Sequence, residues 1–188
     1  MTPANPVKII DTLLDIARIR SGEYVANPKP ASLREVIDQC TTLLLPKAHA
    51  KSIRFRHMPE NGENILAIFD TNATHHILMK ILDNALTYSP ANTSVTIEID
   101  QRDKQFTRIS IRDEGPGIPA EHIRNAFEIF GRAERWQHRG DENSGLGLAL
   151  SVKMAQIQNG KLEIQSDGTN GTTCILSLPA YNENVLKN

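Results

Sequence analysis

Three glycine-bearing segments hold the residue types from which this sequence could build a chemical site. Asp113-Glu114-Gly115-Pro116-Gly117-Ile118-Pro119 ends an alternating apolar and polar run. Ser144-Gly145-Leu146-Gly147-Leu148-Ala149 leads directly into a helical pattern, and Gly171-Thr172-Thr173 opens a further alternating run. Glycine lets the backbone approach a ligand closely and adopt positive φ. A glycine-rich turn that feeds a helix start aims unpaired N–H groups and the positive end of the helix dipole at an anion. A fourth feature is a polar face. His76, Lys80, Asn84 and Thr87 are spaced four, four and three, so they line one side of a helix. That side is opposite much of the helix's apolar stripe, as a ligand-facing side must be.

The elements that position these residues alternate along the chain. Residues 7–21 form an amphipathic pattern, with Ile9, Ile10, Leu13, Leu14, Ile16, Ala17 and Ile19 at three- and four-residue spacing and Gly22 as a stop. NPKPAS (27–32) carries two prolines two positions apart and reads as a linker. Ser32 with Glu35 makes a capping box, and the helix it starts is expected to end at about Leu45, before Pro46. Strands are predicted at 52–57, 65–69, 95–100, 107–113, 162–166 and 172–178, with helices at 72–88 and 146–158. Residues 114–144 have low periodicity and are expected to be a loop. Short strands with interspersed helices imply helices on one face of a mostly antiparallel sheet.

Composition excludes several classes. The chain has 188 residues, 39% hydrophobic and 23% charged, enough to bury a core and too apolar for wholesale disorder. At ~150 residues per domain this is one domain, or one domain with an appendage. Lys plus Arg total 21 against 22 Asp plus Glu, a formal charge of -1, so nucleic acid is not an expected partner. No apolar run approaches the ~20 residues of a membrane span. Two cysteines, Cys40 and Cys174, build neither a disulfide framework nor a metal cluster and point to a reducing cytoplasmic compartment.

In order, the segments resemble the boxes of the ATP-binding fold shared by sensor histidine kinases, gyrase-type topoisomerases, mismatch-repair ATPases and one chaperone family. LDNALTYSP (82–90) resembles the N box, DEGPGIP the G1 box, AFEIFGRAE (126–134) the F box and SGLGLAL the G2 box. GTTCILSLP resembles the closing strand, and the match spans roughly residues 30 to 180. Phe127, Phe130 and Arg132 of the F box point to the histidine kinase branch. IIDTLLDIARIRSGEYVANPKPASLREVI resembles the end of a second dimerisation helix with its linker. The resemblance implies an α+β two-layer sandwich of the Bergerat type, its mixed, mostly antiparallel sheet covered on one face by helices. It divides the chain into a dimerisation-helix remnant (1–26), a linker (27–31), a catalytic and ATP-binding domain (32–182) and a tail (183–188).

The function so implied is transfer of the γ-phosphoryl of Mg-ATP to a histidine on a dimerisation domain, with a response regulator receiver domain as the next acceptor. The intact parent would be a homodimer, cytoplasmic in this part whether or not it is anchored in a membrane. Asp113 would accept a hydrogen bond from the adenine amino group, since a buried carboxylate needs a donor, with Thr172 assisting through a water. Gly115 and Gly117 would shape the pocket wall. Gly145 and Gly147 would turn backbone N–H groups to the phosphates, and residues 120–144 would form a lid anchored by Phe127 and Phe130. Tyr88, Ile118, Phe130, Ser144, Leu146 and Leu148 complete the implied ATP and ADP set. Asn84 would ligate Mg²⁺ on the phosphates through its amide oxygen. Arg132 would reach the terminal phosphate, where a guanidinium stabilises developing charge. Asn84, Lys80 and Arg132 are the implied catalytic positions.

Two residues depart from the family pattern. Hydrolytic members carry a glutamate at the position of Lys80, and kinases usually carry a second asparagine. A lysine is neither a base near neutral pH nor a lone-pair donor. Thr87 stands where kinases often place a phosphate-binding lysine. The pair implies either a positive charge relocated one helical turn or a weakened site. None of His49, His57, His75, His76, His122 or His138 lies in a phosphoacceptor sequence, so the chain alone is not expected to phosphorylate itself. Two rivals remain: a hydrolytic ATPase of the same superfamily, which Lys80 disfavours, and a non-catalytic nucleotide-binding signalling module. The opening helix of about 15 residues spans only ~22 Å and lacks its natural partners. It is expected to fray, fold back or pair with a second copy.

Overall fold

The computed structural model describes residues 14, 17–19, 21–58, 64–123 and 146–182. In chain order the elements are β1 (Lys29–Ser32), α1 (Leu33–Ala50), β2 (Arg54–Met58), β3 (Leu66–Phe69), α2 (Thr71–Tyr88), β4 (Ser94–Asp100) and β5 (Phe106–Arg112). Then follow α3 (Ala120–Ile123), α4 (Leu146–Gln156), β6 (Lys161–Ser166) and β7 (Thr172–Pro179). Five strands form one sheet in the order β2-β4-β5-β7-β6. Only the β2–β4 pair is parallel. The other neighbours are antiparallel, with Thr96 opposite Arg112, Ile111 opposite Cys174 and Gln165 opposite Thr173. β1 and β3 form a separate antiparallel pair, joined to the end of β7 by a bridge between Ala67 and Ala180. The α+β class and the mixed, mostly antiparallel sheet expected from the sequence are both present.

Periodicity accounts for the packing. On α2, Ile77, Leu78, Ile81, Leu82, Ala85 and Leu86 are all buried. They meet Val95, Ile97, Ile109 and Ile111 from the sheet's inward positions and Ile37, Cys40 and Leu44 from α1 in one core. Each fully buried aliphatic side chain of this kind contributes about 1.5–3 kcal/mol of transfer free energy. Ile19 also belongs to this core, so the end of the opening helical segment lies against the domain. Residues 14, 17–19 and 21 are helical, and Tyr24 N–H returns to the Arg18 carbonyl at 3.1 Å. The rest of the 7–21 pattern lies outside the described residues. Among the described residues no helix is long and apolar enough to cross a membrane.

Three expectations differ from what is observed. Residues 29–31, read as linker, form strand β1: two prolines in a row of three exclude a helix but not an edge strand, where a missing N–H is harmless. α1 continues through Pro46 to Ala50 rather than stopping at Leu45. An interior proline costs a helix about 3 kcal/mol, and packing beyond it outweighs that cost. Leu44 and Ala48 are buried, and Lys47 Nζ donates to Asp83 Oδ1 at 2.5 Å and to Thr87 Oγ1 at 2.7 Å. Lys51 Nζ donates to the carbonyls of Leu86, Thr87 and Ser89 at 2.7, 2.9 and 2.7 Å. Within the 114–144 loop, residues 120–123 make a single helical turn. Ser32 caps α1 as expected, Glu35 N–H donating to its Oγ at 3.2 Å, though among the described residues the Glu35 side chain does not return the second bond of a capping box.

Candidate functional site

Asp113 stands at the end of β5, where the strand hands over to a glycine turn. Its own N–H donates to the Thr172 carbonyl at 2.9 Å, which locks the strand end to the start of β7. Its Oδ1 accepts from Gly115 N–H at 2.8 Å and from Thr172 N–H at 3.1 Å. The residue is 8% exposed. Among the described residues its second oxygen accepts no hydrogen bond, so one oxygen is fixed by backbone and the other is left for a donor. Burial raises the Asp113 carboxyl above the ordinary carboxylate range, while the bonds from Gly115 and Thr172 and the Arg112 charge pull it back.

The glycines around Asp113 are required by close approach. A β-carbon at Gly115 would lie 2.9 Å from Asp113 Oδ1 and 3.1 Å from the Tyr88 carbonyl oxygen. The G1 turn is thus threaded between its own aspartate and the end of α2. Gly117 has φ +78°, and a β-carbon there would meet backbone at Thr169 and Gly168 within 2.9 Å. Ile118 participates through its backbone: its N–H donates to Ser166 Oγ at 2.8 Å, and that hydroxyl donates to the Gly171 carbonyl at 2.7 Å. Ser166 therefore ties the G1 turn to the β6–β7 turn, a role that nothing in a strand-end serine announces in sequence. Ser166→Ala removes both bonds, and an affinity loss of about three- to tenfold for a nucleotide analogue is expected, with about 1 kcal/mol of stability. Parallel analogue titration and thermal melting of the two proteins check this.

On the opposite side, α2 and the start of α4 meet. A β-carbon at Gly147 would lie 2.5 Å from Lys80 Cε and 2.9 Å from its Cδ. The lysine stem therefore runs directly across the first turn of α4, where backbone N–H groups are unpaired by intrahelical bonds. Asn84 is half-buried one turn further along α2. Ser151 Oγ donates to the Gly147 carbonyl at 2.9 Å, and Leu148 packs against the core, which fixes the turn from behind. Tyr88 is 36% exposed at the end of α2, beside the G1 turn that its carbonyl abuts.

The Thr87 hydroxyl is engaged elsewhere. It donates to the Asp83 carbonyl at 2.7 Å and accepts from Lys47 Nζ, so it is turned to α1. Of the expected four, the Thr87 hydroxyl is therefore taken up by α1 through Lys47. Thr172 is joined to Asp113 through its backbone, in both directions. Phe130, Arg132, Ser144 and Gly145, with Phe127 and the side chain of Leu146, lie outside the described residues. Neither cysteine is a nucleophile of this site: burial pushes both thiols to about 12, the Asp113 charge adding to the effect at Cys174. Among the described residues no group of three His, Cys, Asp or Glu side chains is placed to hold a metal.

Known proteins are similar to this chain in sequence and in fold. The chain is 28% identical over 173 residues to the sensor histidine kinase GacS of Pseudomonas protegens, covering 90% of the chain and 19% of that protein. It is 28% identical over 182 residues to the sensor histidine kinase WalK of Bacillus subtilis, covering 94% and 29%. The chain thus spans about a fifth to a third of these relatives. Among solved structures, full-length ShkA in complex with AMPPNP superposes with a TM-score of 0.78 at 21% identity, covering 93% of this chain and 36% of that one. The mycobacterial sensor histidine kinase MprB superposes at 0.68 and 26% identity, covering 81% and 97%. A model of the histidine kinase-, DNA gyrase B-, and HSP90-like ATPases matches residues 69–182. That stretch runs from the strand end before α2 to the close of β7 and carries the carboxylate, the glycine turns and the lysine-crossed helix start alike, and the chain belongs to this family.

Proposed function

We propose that this chain is the ATP-binding catalytic domain of a sensor histidine kinase. In the intact protein it would pass the γ-phosphoryl of ATP to a histidine on a dimerisation domain, of which residues 1–26 are the end of the second helix. The histidine nitrogen attacks the γ-phosphorus as the bond to the bridging oxygen of ADP breaks. A response regulator receiver domain would then accept the phosphoryl group. A cytoplasmic homodimer is the setting this reading requires.

The observation that carries the reading is Asp113, one oxygen saturated by two backbone N–H groups and the other left to select a donor. An exocyclic amino group is the donor an adenine offers. Gly115, Gly117 and Ile118 form the wall beside it through backbone, with Tyr88 at its rim and Thr172 at its base. At the other end, the first turn of α4 with Gly147 offers N–H groups to phosphate, and Lys80 brings a cation across it. The family's Mg²⁺ is a hard cation that takes oxygen ligands and neutralises phosphate charge. Asn84 fits as one amide ligand, while Lys80 offers none, so phosphates would supply most of its coordination. Ser144, Gly145 and Leu146 would continue the phosphate turn, with Phe130 and Arg132 over the nucleotide. The chain's contribution is positioning and charge neutralisation, which dominate phosphoryl transfer.

Calorimetric titration with a non-hydrolysable ATP analogue tests the reading, and saturable one-to-one binding is the expected result. Binding without any transfer in trans would favour the nucleotide-binding signalling module, whose support is Lys80 together with a Thr87 committed to Lys47. Steady-state phosphate release by the chain alone would favour a hydrolytic ATPase.

The pH dependence follows from Asp113. A carboxyl whose folded value is raised makes the folded state bind its proton more readily, so this group's contribution to stability is present at low pH and is lost as pH rises through that raised value. The ligand works in the opposite sense, since an amino N–H needs the ionised oxygen. Analogue affinity is expected to reach a plateau above the raised value and to fall about tenfold per pH unit below it. That limb should begin above about pH 3.9, where an ordinary aspartate starts. Affinity flat down to about pH 4 would remove Asp113 from the contact.

A further inference from the structure

The two helices that carry the site are held together a second time, at their far ends. Asp70 precedes α2, and its Oδ1 accepts from Ala73 N–H at 2.9 Å, capping the helix. Its Oδ2 accepts from the backbone N–H of Asn27 at 2.9 Å, in the segment that enters the domain. Its own N–H donates to Gln158 Oε1 at 2.9 Å, and Thr74 Oγ1 donates to the same oxygen at 3.3 Å. Gln158 lies just past α4, is fully buried, and donates from Nε2 to the Met154 carbonyl at 3.1 Å. Thr74 is fully buried and Asp70 is 9% exposed.

One residue, Asp70, therefore joins three pieces: its carboxylate holds the incoming segment and the start of α2, and its backbone N–H, through Gln158, holds the end of α4. Lys80 also lies against Gly147, so α2 and α4, which share the core, run antiparallel and meet at both ends of their contact. At 1.5 Å per residue, Lys80 is about 15 Å and Asn84 about 21 Å along α2 from Asp70. A rigid helix carries an axial shift over such a length without loss. Ile19 in the core and the return of Tyr24 N–H to Arg18 hold the segment on the other side of Asn27.

We propose that Asp70 and Gln158 are positioning residues for the nucleotide site, and that the Asn27 amide makes them a clip through which the entering segment sets the relative placement of α2 and α4. The part that concerns nucleotide rests on the function proposed above. By linkage, a segment that favours the bound arrangement is itself favoured by nucleotide, and the coupling is reciprocal.

Two substitutions test this without emptying the core. Asn27→Pro deletes the amide hydrogen at the cost of a side chain that is exposed; Asn27 precedes Pro28, which favours the extended region that proline also adopts. Asp70→Ser keeps a capping oxygen for Ala73 and loses the second oxygen. Each is expected to weaken ATP-analogue affinity about three- to tenfold with the melting temperature nearly unchanged. The double variant should be no weaker than the worse single one, because both remove the same bond. Unchanged affinity, full additivity, or affinity loss that only follows loss of folded protein would overturn the proposal. Hydrogen exchange of the nucleotide-free chain separates the clip from the function: Asn27→Pro should speed exchange at Asp70, Ala73 and Thr74 about tenfold. If the unaltered chain binds no nucleotide, the proposed function falls, and the clip stands or falls on that exchange alone.

Discussion

Asp113→Asn is expected to lower the affinity for an ATP analogue by about a hundredfold or more while leaving the domain folded. The two halves of this result have separate causes. Asparagine keeps an amide oxygen at the place of Oδ1, so the bonds from Gly115 and Thr172 N–H survive and the G1 turn stays in place. It also removes a buried carboxylate, whose charged form is disfavoured there, so no loss of stability at neutral pH is expected. The ligand sees the other atom, where an acceptor has become an N–H₂ donor facing an amino donor. A charge-assisted hydrogen bond of about 1.5–3 kcal/mol is lost and an unsatisfied donor pair replaces it. At 1.4 kcal/mol per tenfold, a hundredfold corresponds to about 2.8 kcal/mol. Calorimetry with the melting curve alongside decides: retained affinity in a folded variant would show that Asp113 does not read the base.

Gly171→Ala should act on the fold itself. Gly171 has φ +88°, a region that L side chains rarely adopt, and a β-carbon there would run into the Asp113 carbonyl oxygen. That atom is backbone at the end of a paired strand and has little room to retreat. Gly171 also gives its carbonyl to Ser166 Oγ, so any shift disturbs the bond that holds Ile118. A β-carbon forced against backbone with unfavourable φ is expected to cost more than about 3 kcal/mol, enough to lower the melting temperature by several degrees and to abolish analogue binding. A variant with unaltered melting and binding would mean that the β6–β7 turn is not coupled to Asp113 as described. Gly147→Ala makes an instructive contrast, since the nearest atoms are the far end of the flexible Lys80 side chain, which can move aside at little cost to the fold.

How much of this could be read in advance depended on the range of each interaction. Local periodicity placed α2 and the sheet strands almost to the residue, because each buries one face against a continuous core. The glycine turn beside Asp113 was legible by type and order, as was the start of α4 near Leu146. What escaped were contacts between residues remote in sequence. Pro46 argued locally for a stop, and Lys47 and Lys51, bound some 35–40 residues away on α2, carry α1 through it. Thr87 fell on the polar face by helical angle, yet α1 takes up its hydroxyl through Lys47. Ser166 meets Ile118 across 48 residues and Gln158 meets Asp70 across 88, and neither serine nor glutamine at a strand or helix end advertises such a partner. The crossing of Lys80 over Gly147 is of the same kind: each residue was singled out, but their adjacency is a property of the fold.

That adjacency places a cation at the start of α4, and the account stands on what this arrangement does with ATP. The most direct measurement supplies γ-labelled ATP to the chain together with a separately prepared dimerisation domain that carries a phosphoacceptor histidine. An acid-labile, alkali-stable phosphate should appear on that domain, should depend on this chain, and should vanish with Asp113→Asn. Bound nucleotide with no transferred label, or label released only as free phosphate, would contradict the reading of this chain as a histidine kinase catalytic domain.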